Sequence, residues 1–256
     1  MNKRVSEFIV NENIKLNYNN FLIVLQSVII LEDIQPGQFI NVLIPNSPTT
    51  FLRRPFSIFD VNYTNNTISI IVKILGKGTK NFVQIKKGDS VNIVFPLGNG
   101  FSIPQPNQKV LLVGGGVGIA PLMFLAKELS KIKANTHILL GARSIQDHIL
   151  IDEFSKYGKV HITSDDGSIG IKGLVTDHNV FIEEKGFSRI FCCGPDPMMH
   201  SVARMAKTIY VDCEVSLENL MACGFGVCLC CITKTTDGNK CVCSEGPVFN
   251  IKNLQW

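Results

Sequence analysis

Short runs of β-branched and aromatic residues alternate with turn signals through the first hundred residues. The predicted strands are residues 21–25, 38–44, 67–73 and 90–95. The turn signals between them are Pro36-Gly37, Pro45-Asn46, Asn65-Asn66 and Lys87-Gly88-Asp89. Several short strands at this spacing predict a small antiparallel barrel. A loop rich in proline and glycine, residues 96–106, then marks a predicted domain boundary.

Strand-like runs alternate with helical segments in the next part of the chain. The predicted strands are residues 109–113, 136–141, 159–163 and 189–193, and the predicted helices are residues 121–133 and 197–209. This alternation is typical of a parallel sheet with helices on its faces. From about residue 211 the chain becomes rich in cysteine and irregular. We therefore predict an α+β protein with an antiparallel β-barrel domain, a Rossmann-like parallel α/β domain and a small C-terminal arm. The predicted ranges are 1–103, 104–210 and 211–256.

Composition and charge exclude several classes of protein. The chain has 256 residues, 45% hydrophobic and 18% charged, which is typical of a globular protein and excludes a disordered chain, a collagen and a coiled coil. Its longest apolar stretch, residues 21–31, is shorter than the roughly 20 residues of a membrane-spanning helix, and no signal peptide is evident. A net charge of +4 is too small to indicate nucleic acid. We expect a soluble cytoplasmic protein.

Nine cysteines change this picture, because six of them fall within the last 34 residues. Clustered thiols in a reducing compartment are more often metal ligands than disulfides. Cys223, Cys228 and Cys231 form a C-x4-C-x2-C pattern, and Cys243 follows after 11 further residues. This is the spacing of plant-type [2Fe–2S] ligands. A four-cysteine zinc site is the alternative, and Cys230 and Cys241 are close enough in sequence to replace a neighbouring ligand.

A glycine loop separates the first strand of the α/β domain from the helix that follows it. Glycine at positions 114, 115, 116 and 118 allows close approach of the backbone to a phosphate, and the helix N-terminus adds unpaired N–H groups. Pro121 suits the first helical turn. A second turn, Cys193-Gly194-Pro195, ends a later strand at the same predicted sheet edge. Together these two turns predict a nicotinamide site.

Two short motifs in the barrel have the chemistry of a flavin site. Arg54-Pro55-Phe56-Ser57 combines a guanidinium for phosphate oxygens with an aromatic ring and a hydroxyl. Gly78 permits close backbone approach, and Thr79 is expected to cap a short helix that faces a pyrophosphate. In this order, the four motifs resemble those of the ferredoxin–NADP reductase superfamily, which pairs an FAD-binding barrel with a nicotinamide-binding domain.

The cysteine-rich C-terminal part of the chain resembles one particular family within this superfamily. Residues 216–224 and 243–249 resemble the electron-transfer subunits of class 1B, NAD-dependent dihydroorotate dehydrogenases. Small subunits of the ferredoxin:NADP oxidoreductase share the layout but place an Asp where Cys223 stands. The resemblance implies flavin contacts at Arg54, Pro55, Phe56, Ser57, Ile71, Val72, Lys73, Gly78 and Thr79. It implies nicotinamide contacts at Gly114, Gly115, Gly116, Gly118, Pro121, Cys193, Gly194 and Pro195. It implies cluster ligation by Cys223, Cys228, Cys231 and Cys243.

The same resemblance implies an electron path. Dihydroorotate is oxidised at the FMN of a catalytic partner subunit, and electrons pass through a [2Fe-2S] cluster and FAD to NAD, in pyrimidine biosynthesis. Two copies of each subunit form the expected heterotetramer. The sequence contains no acid–base constellation for pyrimidine chemistry, and its five scattered histidines are interpreted as surface or packing residues.

Two other functions stay open from the sequence. One is a flavin and iron–sulfur reductase subunit of a ferredoxin:NADP oxidoreductase, sulfite reductase or hydrogenase complex. The other is a zinc-stabilised binding module without a redox role. The choice between NAD and NADP is also open, because Arg143 and Ser144 either meet a 2′-phosphate or face solvent.

Overall fold

The first part of the chain folds as a closed antiparallel barrel of six strands in the computed structural model, which describes residues 3–256. The barrel strands are β1 (Arg4–Lys15), β2 (Asn20–Ser27), β3 (Phe39–Val42), β4 (Arg54–Asn62), β5 (Thr67–Lys73) and β6 (Ser90–Leu97). Their order around the barrel is β1-β2-β5-β4-β3-β6. A short helix, α1 (Lys77–Phe82), lies between β5 and β6. The predicted barrel is confirmed.

Strand β1 was not predicted from the sequence, because residues 11–15 are polar. The strand alternates instead of forming an apolar run: Phe8 and Val10 are fully buried, while most of their neighbours are partly or fully exposed. β1 pairs with both β2 and β6, and it thereby closes the barrel. Residues 1 and 2 of the predicted first domain lie outside the described residues.

The second part of the chain forms a seven-stranded sheet with the order β10-β9-β8-β7-β11-β12-β15. The strands are β7 (Lys109–Gly115), β8 (Asn135–Ala142), β9 (Lys159–Ser164), β10 (Ile171–Lys172), β11 (Arg189–Cys193), β12 (Asp212–Ser216) and β15 (Val248–Asn250). Its helices are α2 (Ala120–Lys131), α3 (Ile151–Ser155), α4 (Val180–Glu183) and α5 (Asp196–Thr208). Every pairing in the sheet is parallel except that of β12 with β15. The predicted parallel α/β domain is confirmed.

The expected irregularity after residue 211 is wrong for residues 212–216, which form β12 beside β11 in the sheet. The chain then leaves the sheet and returns to it as β15. The intervening residues 217–247, here called the cysteine segment, contain a hairpin of β13 (Ile232–Thr235) and β14 (Gly238–Cys241) and the short helix α6 (Val242–Glu245). The predicted domain ranges stay predictions.

Apolar and charged contacts join the barrel to the sheet. Phe59 and Ile71 of the barrel share one buried cluster with Ile119 and Ala120, which lie beside the glycine loop. Lys127 of α2 pairs with Asp60 of β4 at 2.6 Å. The flavin strands and the nicotinamide loop therefore face each other across a packed junction. None of the helices among residues 3–256 has the length and apolar character needed to cross a membrane.

Candidate functional site

The two predicted nicotinamide turns lie against each other at the carboxyl edge of the sheet. β7 and β11 are neighbouring parallel strands, so their ends meet there. A Cβ atom on Gly118 would lie 2.6 Å from the carbonyl oxygen of Cys193 and from the Cα atom of Gly194. A Cβ atom on Gly194 would lie 3.1 Å from the Cα atom of Gly115. Glycine is therefore required at these positions because two backbones touch.

The helix after the glycine loop begins as the sequence predicts. Residues Gly116–Ile119 form a 3₁₀ turn, α2 follows from Ala120, and Pro121 occupies its first turn. Gly116 has a φ of +55° with open space around it, so its backbone lies at the surface of the loop. On the other side, the Pro195 carbonyl accepts the Met198 N–H at 2.9 Å and so begins α5. The edge thus presents two helix N-termini, the kind of end that binds phosphate.

Arg54 of the flavin motif and Arg53, which directly precedes it, make different contacts. Arg53 donates from Nη1 to the backbone carbonyls of Asn92, at 3.0 Å, and of Asn41, at 3.3 Å, and so joins barrel strands. Arg54 donates from Nη1 to the carbonyls of Leu52, at 2.7 Å, and of Arg53, at 3.3 Å, beside its own strand. The Arg54 guanidinium therefore stays at the barrel surface, where a phosphate can reach it.

Gly78 and Arg54 lie side by side, as a shared phosphate site requires. A Cβ atom on Gly78 would lie 3.5 Å from Arg54 Nε and 3.2 Å from Thr50 Cγ2. The predicted capping role of Thr79 needs a correction, because Gly76 is the N-cap of α1 and Thr79 lies inside the helix. The Thr79 hydroxyl reaches back to accept the N–H of Leu75, at 2.9 Å, and of Gly76, at 3.2 Å. Thr79 therefore stabilises the turn from within.

The other predicted flavin residues divide between the barrel core and the junction. Phe56 stacks on the buried Phe82 ring, with centroids 5.5 Å apart, so part of its ring is already packed. Ile71 belongs to the junction cluster beside the glycine loop, whereas Val72 is fully buried in the barrel core. A flavin contact at Val72 is thus restricted to its backbone. Lys73 ends β5 and is partly exposed.

A carboxyl group that the sequence analysis missed faces the same junction. Burial, with a smaller contribution from the nearby Glu218, raises the pKa of Cys193 to about 12, while a hydrogen bond with Ser216 opposes the shift. Desolvation raises the pKa of Glu218 itself, with Asp196 adding to the effect and Lys73 opposing it. Glu218 follows β12, which lies next to β11 in the sheet. The adjacency of these two strands is the signal that could have placed Glu218 near Cys193. The site therefore presents a neutral thiol and a carboxyl group with raised proton affinity.

In parallel nucleotide-binding sheets, the adenosine ribose binds at a position that corresponds here to the residues after β8. The charges of these residues therefore bear on the choice between NAD and NADP. Ser144 Oγ donates to Asp147 Oδ2 at 3.0 Å, and the Tyr18 hydroxyl of the barrel donates to Asp147 Oδ1. The Ser144 hydroxyl is thus occupied by a carboxylate. Asp147 is a second residue that sequence reasoning missed, since it lies five residues beyond the strand end.

Four cysteine thiols approach one another as two pairs in the cysteine segment. The Cys223 thiol is within hydrogen-bond reach of the Cys228 thiol, and the Cys243 thiol is within reach of the Cys231 thiol. Among residues 3–256, no three His, Cys, Asp or Glu side chains are close enough to hold a single metal ion. Two thiols for each of two irons is the ligand distribution of a [2Fe–2S] cluster, and these pairs fit it.

Backbone N–H groups point at the sulfur atoms of this loop. Gly226 donates to Cys243 Sγ at 3.1 Å, Cys243 donates to Cys231 Sγ at 3.3 Å, and Phe225 donates to Cys223 Sγ at 3.5 Å. Gly224 and Gly226, with φ values of +82° and +87°, allow the loop to turn its amides inward. Such donors stabilise thiolates and bridging sulfides.

Proton affinities differ between the two pairs. Burial raises the pKa of Cys223, but hydrogen bonds from the backbone of Phe225 and Cys228 outweigh it and lower that pKa to about 6. In the other pair, burial and the adjacent Cys231 thiol raise the pKa of Cys243 to about 12. The Cys223 thiol therefore releases its proton more readily than the Cys243 thiol. The Cys230 thiol instead donates to the Leu220 carbonyl at 3.6 Å.

Three of the five histidines, scattered in the sequence, meet away from these sites, near the amino end of β8. His137 Nδ1 lies 3.1 Å from His161 Nε2, and the His178 ring packs edge-on against His161 at 5.0 Å. Burial, together with His178, His137 and Lys159, lowers the pKa of His161 to about 4. The neighbouring Glu184 carboxylate binds Lys109 at 2.7 Å and Lys159 at 2.9 Å. This cluster is a packing feature of the sheet.

Comparisons with known proteins agree with this geometry. Residues 112–204 match the family model "Oxidoreductase NAD-binding domain", and residues 218–255 match "Iron-sulfur cluster binding domain of dihydroorotate dehydrogenase B". The chain is 36% identical over 259 residues to the dihydroorotate dehydrogenase B (NAD(+)) electron transfer subunit of Fusobacterium nucleatum, with 98% of this chain and 99% of the relative covered. It is 42% identical over 220 residues to the subunit of the same name from Caldanaerobacter subterraneus subsp. tengcongensis, with 84% of each chain covered.

A solved structure extends the comparison to the fold. A chain of the NADH-dependent reduced ferredoxin-NADP oxidoreductase superimposes with a TM-score of 0.87 at 31% identity, with 97% of this chain and 90% of that chain covered. The ferredoxin reductase of carbazole 1,9a-dioxygenase, at 19% identity and a TM-score of 0.72, shares the fold over 82% of this chain and 67% of that chain. The full-length relatives above decide the family: this chain belongs to the electron transfer subunits of NAD-dependent dihydroorotate dehydrogenase B.

Proposed function

We propose that this chain carries electrons between the catalytic subunit of a dihydroorotate dehydrogenase and NAD. One observation supports this most strongly: the predicted flavin site contacts both the predicted cluster turn and the predicted nicotinamide edge. The Gly224 turn of the cysteine segment contacts Asn41, the register partner of Pro55 in the flavin motif. Ile71 of the flavin strands shares a buried cluster with Cys193 of the nicotinamide edge. A chain that only stored a metal would not need this convergence.

The residues fit FAD and a [2Fe–2S] cluster, and each group has a holder on this chain. Arg54 and the Gly78 backbone would hold the FAD pyrophosphate, and the paired thiols would hold the cluster. When bound, a flavin exchanges two electrons with a nicotinamide as hydride and single electrons with an iron–sulfur centre. Cys193, which burial keeps as a neutral thiol, packs beside the nicotinamide edge and helps to exclude water there.

The charges after β8 support NAD rather than NADP as the nicotinamide. Asp147 places a carboxylate beside Ser144, where a 2′-phosphate would have to bind. A carboxylate favours the 2′-hydroxyl of NAD and repels the phosphate of NADP. Tyr18 holds this carboxylate from the barrel side.

The partner in this proposal is a catalytic subunit that carries FMN, with two copies of each subunit in the complex. Its docking face is the exposed surface of the cysteine segment, where five large apolar side chains are exposed to solvent. These are Leu220, Phe225, Val227, Leu229 and Ile232. Exposed apolar residues around a redox centre favour a protein contact that also shortens the electron path. All nine cysteines are free thiols and none forms a disulfide among residues 3–256, which supports a reducing compartment, the cytoplasm.

An absorption spectrum and two activity assays test this function. The purified chain should show flavin and iron–sulfur bands, contain two irons per chain, and reduce ferricyanide with NADH. It should oxidise dihydroorotate only after the catalytic subunit is added. A colourless protein that contains zinc, or dihydroorotate oxidation by the chain alone, would contradict the proposal.

A ligand variant sharpens the spectral test. Cys228→Ser should abolish the iron–sulfur bands while the flavin bands persist, because Cys228 is exposed and is not part of the buried barrel cluster. Cys213→Ser is the matched control, since Cys213 is fully buried in β12 and has no place in either thiol pair. Equal loss of iron in both variants would refute the assignment of Cys228.

A further inference from the structure

Asn41 is a fully buried amide between the barrel and the cysteine segment. Its Nδ2 donates to the carbonyl oxygen of Cys223 at 3.5 Å. The same nitrogen lies 2.7 Å from the position that a Cβ atom on Gly224 would occupy. The amide therefore packs directly on the turn that carries the first predicted cluster ligand.

The backbone of Asn41 is fixed from the flavin side. Asn41 pairs with Pro55 in the register of β3 and β4. Its carbonyl accepts a hydrogen bond from Arg53 Nη1 at 3.3 Å, and that guanidinium is itself bound to Asn92. One residue thus connects the flavin strand to the cluster turn, with its backbone on one side and its side chain on the other.

The Oδ1 atom of Asn41 is buried and has no hydrogen-bond partner among residues 3–256. A buried acceptor without a partner destabilises a protein by about 1–3 kcal/mol. Leucine has a similar size and carries no such penalty, and the flanking side chains Leu97 and Val94 are apolar. Stability alone would therefore favour leucine at this position, so the amide indicates a role in the redox site.

We propose that Asn41 is a positioning residue, which orients the Cys223 turn against the flavin strand and thereby sets the electronic environment of the cluster. Hydrogen bonding and solvent exposure around the ligands determine the potential of such clusters. The inference rests on the proposed function, because it requires Cys223 to be a ligand.

The experiment compares Asn41→Leu and Asn41→Asp with Asn13→Leu in the full chain carrying its cofactors. Asn41→Leu removes the amide, and Asn41→Asp keeps its shape but removes the donor to Cys223. Asn13 is the matched control, because its Nδ2 also donates to backbone carbonyls, those of Val83 and Ile85, and its Oδ1 also has no partner. It does so on β1, away from the cysteine segment.

Three measurements follow each variant under anaerobic conditions: the electron paramagnetic resonance spectrum of the reduced cluster, its midpoint potential, and the rates at which NADH bleaches the flavin and cluster bands. We expect both Asn41 variants to shift the spectrum and the midpoint potential. We also expect cluster bleaching to slow about tenfold, the effect of about one hydrogen bond, with flavin bleaching within twofold of the wild type. Asn13→Leu should match the wild type in all three.

Wild-type spectra, potentials and bleaching rates in both Asn41 variants would overturn the inference while leaving the proposed function intact. Equal changes in Asn13→Leu and the Asn41 variants would also overturn it, since they would show a general effect of losing a buried amide. If the wild-type chain binds no iron–sulfur cluster, the proposed function and this inference fall together. Asn41→Asp decides the test if Asn41→Leu does not fold.

Discussion

Replacing Gly118 by alanine perturbs the nicotinamide edge with a single methyl group. The new Cβ atom would lie 2.6 Å from the Cys193 carbonyl oxygen and 2.7 Å from the Cys193 carbonyl carbon. Both contacts are to backbone atoms, which cannot rotate away as a flexible side chain can. Gly118 does not have a positive φ, so alanine meets no conformational barrier of its own. The clash between the two turns is therefore the whole perturbation.

Its magnitude follows from the distances. Non-bonded carbon atoms pack at about 3.5 Å or more, so the turns must separate by about 0.9 Å from the present 2.6 Å. Overpacking of this kind costs about 1–3 kcal/mol. Each 1.4 kcal/mol that is lost from nicotinamide binding raises the dissociation constant about tenfold. We expect weaker NADH binding by about tenfold or more, with any remaining cost appearing as a lower melting temperature.

The assay combines titration of NAD into the oxidised protein with steady-state NADH–ferricyanide kinetics and thermal unfolding. The Gly186→Ala variant is the control: Gly186 has a φ of +81° and no atom within 4 Å of its added Cβ, so only backbone strain is introduced, in the loop before β11. It should lose stability but keep the wild-type KM for NADH. A Gly118→Ala protein with wild-type affinity and wild-type melting temperature would refute the contact between the two turns.

Two further predictions concern stability. The pKa of His161 is about 4 in the folded protein, below the ordinary value of 6.5, so the unfolded chain binds more protons between these two pH values. This contribution to the free energy of unfolding is therefore fully present above pH 6.5 and should fall by at most about 3 kcal/mol towards pH 4. In urea unfolding measured across this pH range, His161→Phe should lose less stability than the wild type. His200→Phe is the control, because His200 packs on Trp256, and it should show the wild-type loss. Lys127→Met should lower the free energy of unfolding by about 1 kcal/mol, because it breaks the ion pair with Asp60 at the junction and both of these side chains are largely buried. Lys131→Met, which breaks the pair with Glu128 within α2 where the lysine is 65% exposed, should cost less, and equal losses in calorimetry would refute the role of the junction.

Local patterns were enough to predict much of the fold. Strands β5 and β11 occupy the predicted residues because each is a continuous apolar run between clear turns. β1 escaped prediction because it is a barrel strand with one exposed face: Phe8 and Val10 are its only buried side chains, and residues 11–15 have none. β12 escaped because its cysteine neighbours suggested an irregular arm, whereas the partner that makes it a strand is β11, distant in sequence.

The candidate site divides in the same way. The motif glycines and cysteines could be read from spacing, because close backbone approach and ligation depend on residue type. Glu218 and Asn41 could not, since the sequence assigned neither of them a role and both matter through neighbours that come from other strands. Phe56 shows the converse case: its motif position was predicted, but its stacking on Phe82 depends on how α1 packs against the barrel.

Both ends of the cysteine segment are anchored in one sheet, as Ser216 pairs with Val248 and Val215 with Phe249. The segment is thus an excursion between two adjacent antiparallel strands, and not a free tail. Loop length between fixed ends has only a small entropic cost. An insertion of this kind can change in length without rebuilding the strands that flank it. Val242 and Cys243 are nevertheless buried in the core cluster of the sheet, so an altered segment must keep these anchoring contacts. The connectivity therefore places the predicted cluster ligands and their exposed apolar neighbours in a single stretch of chain.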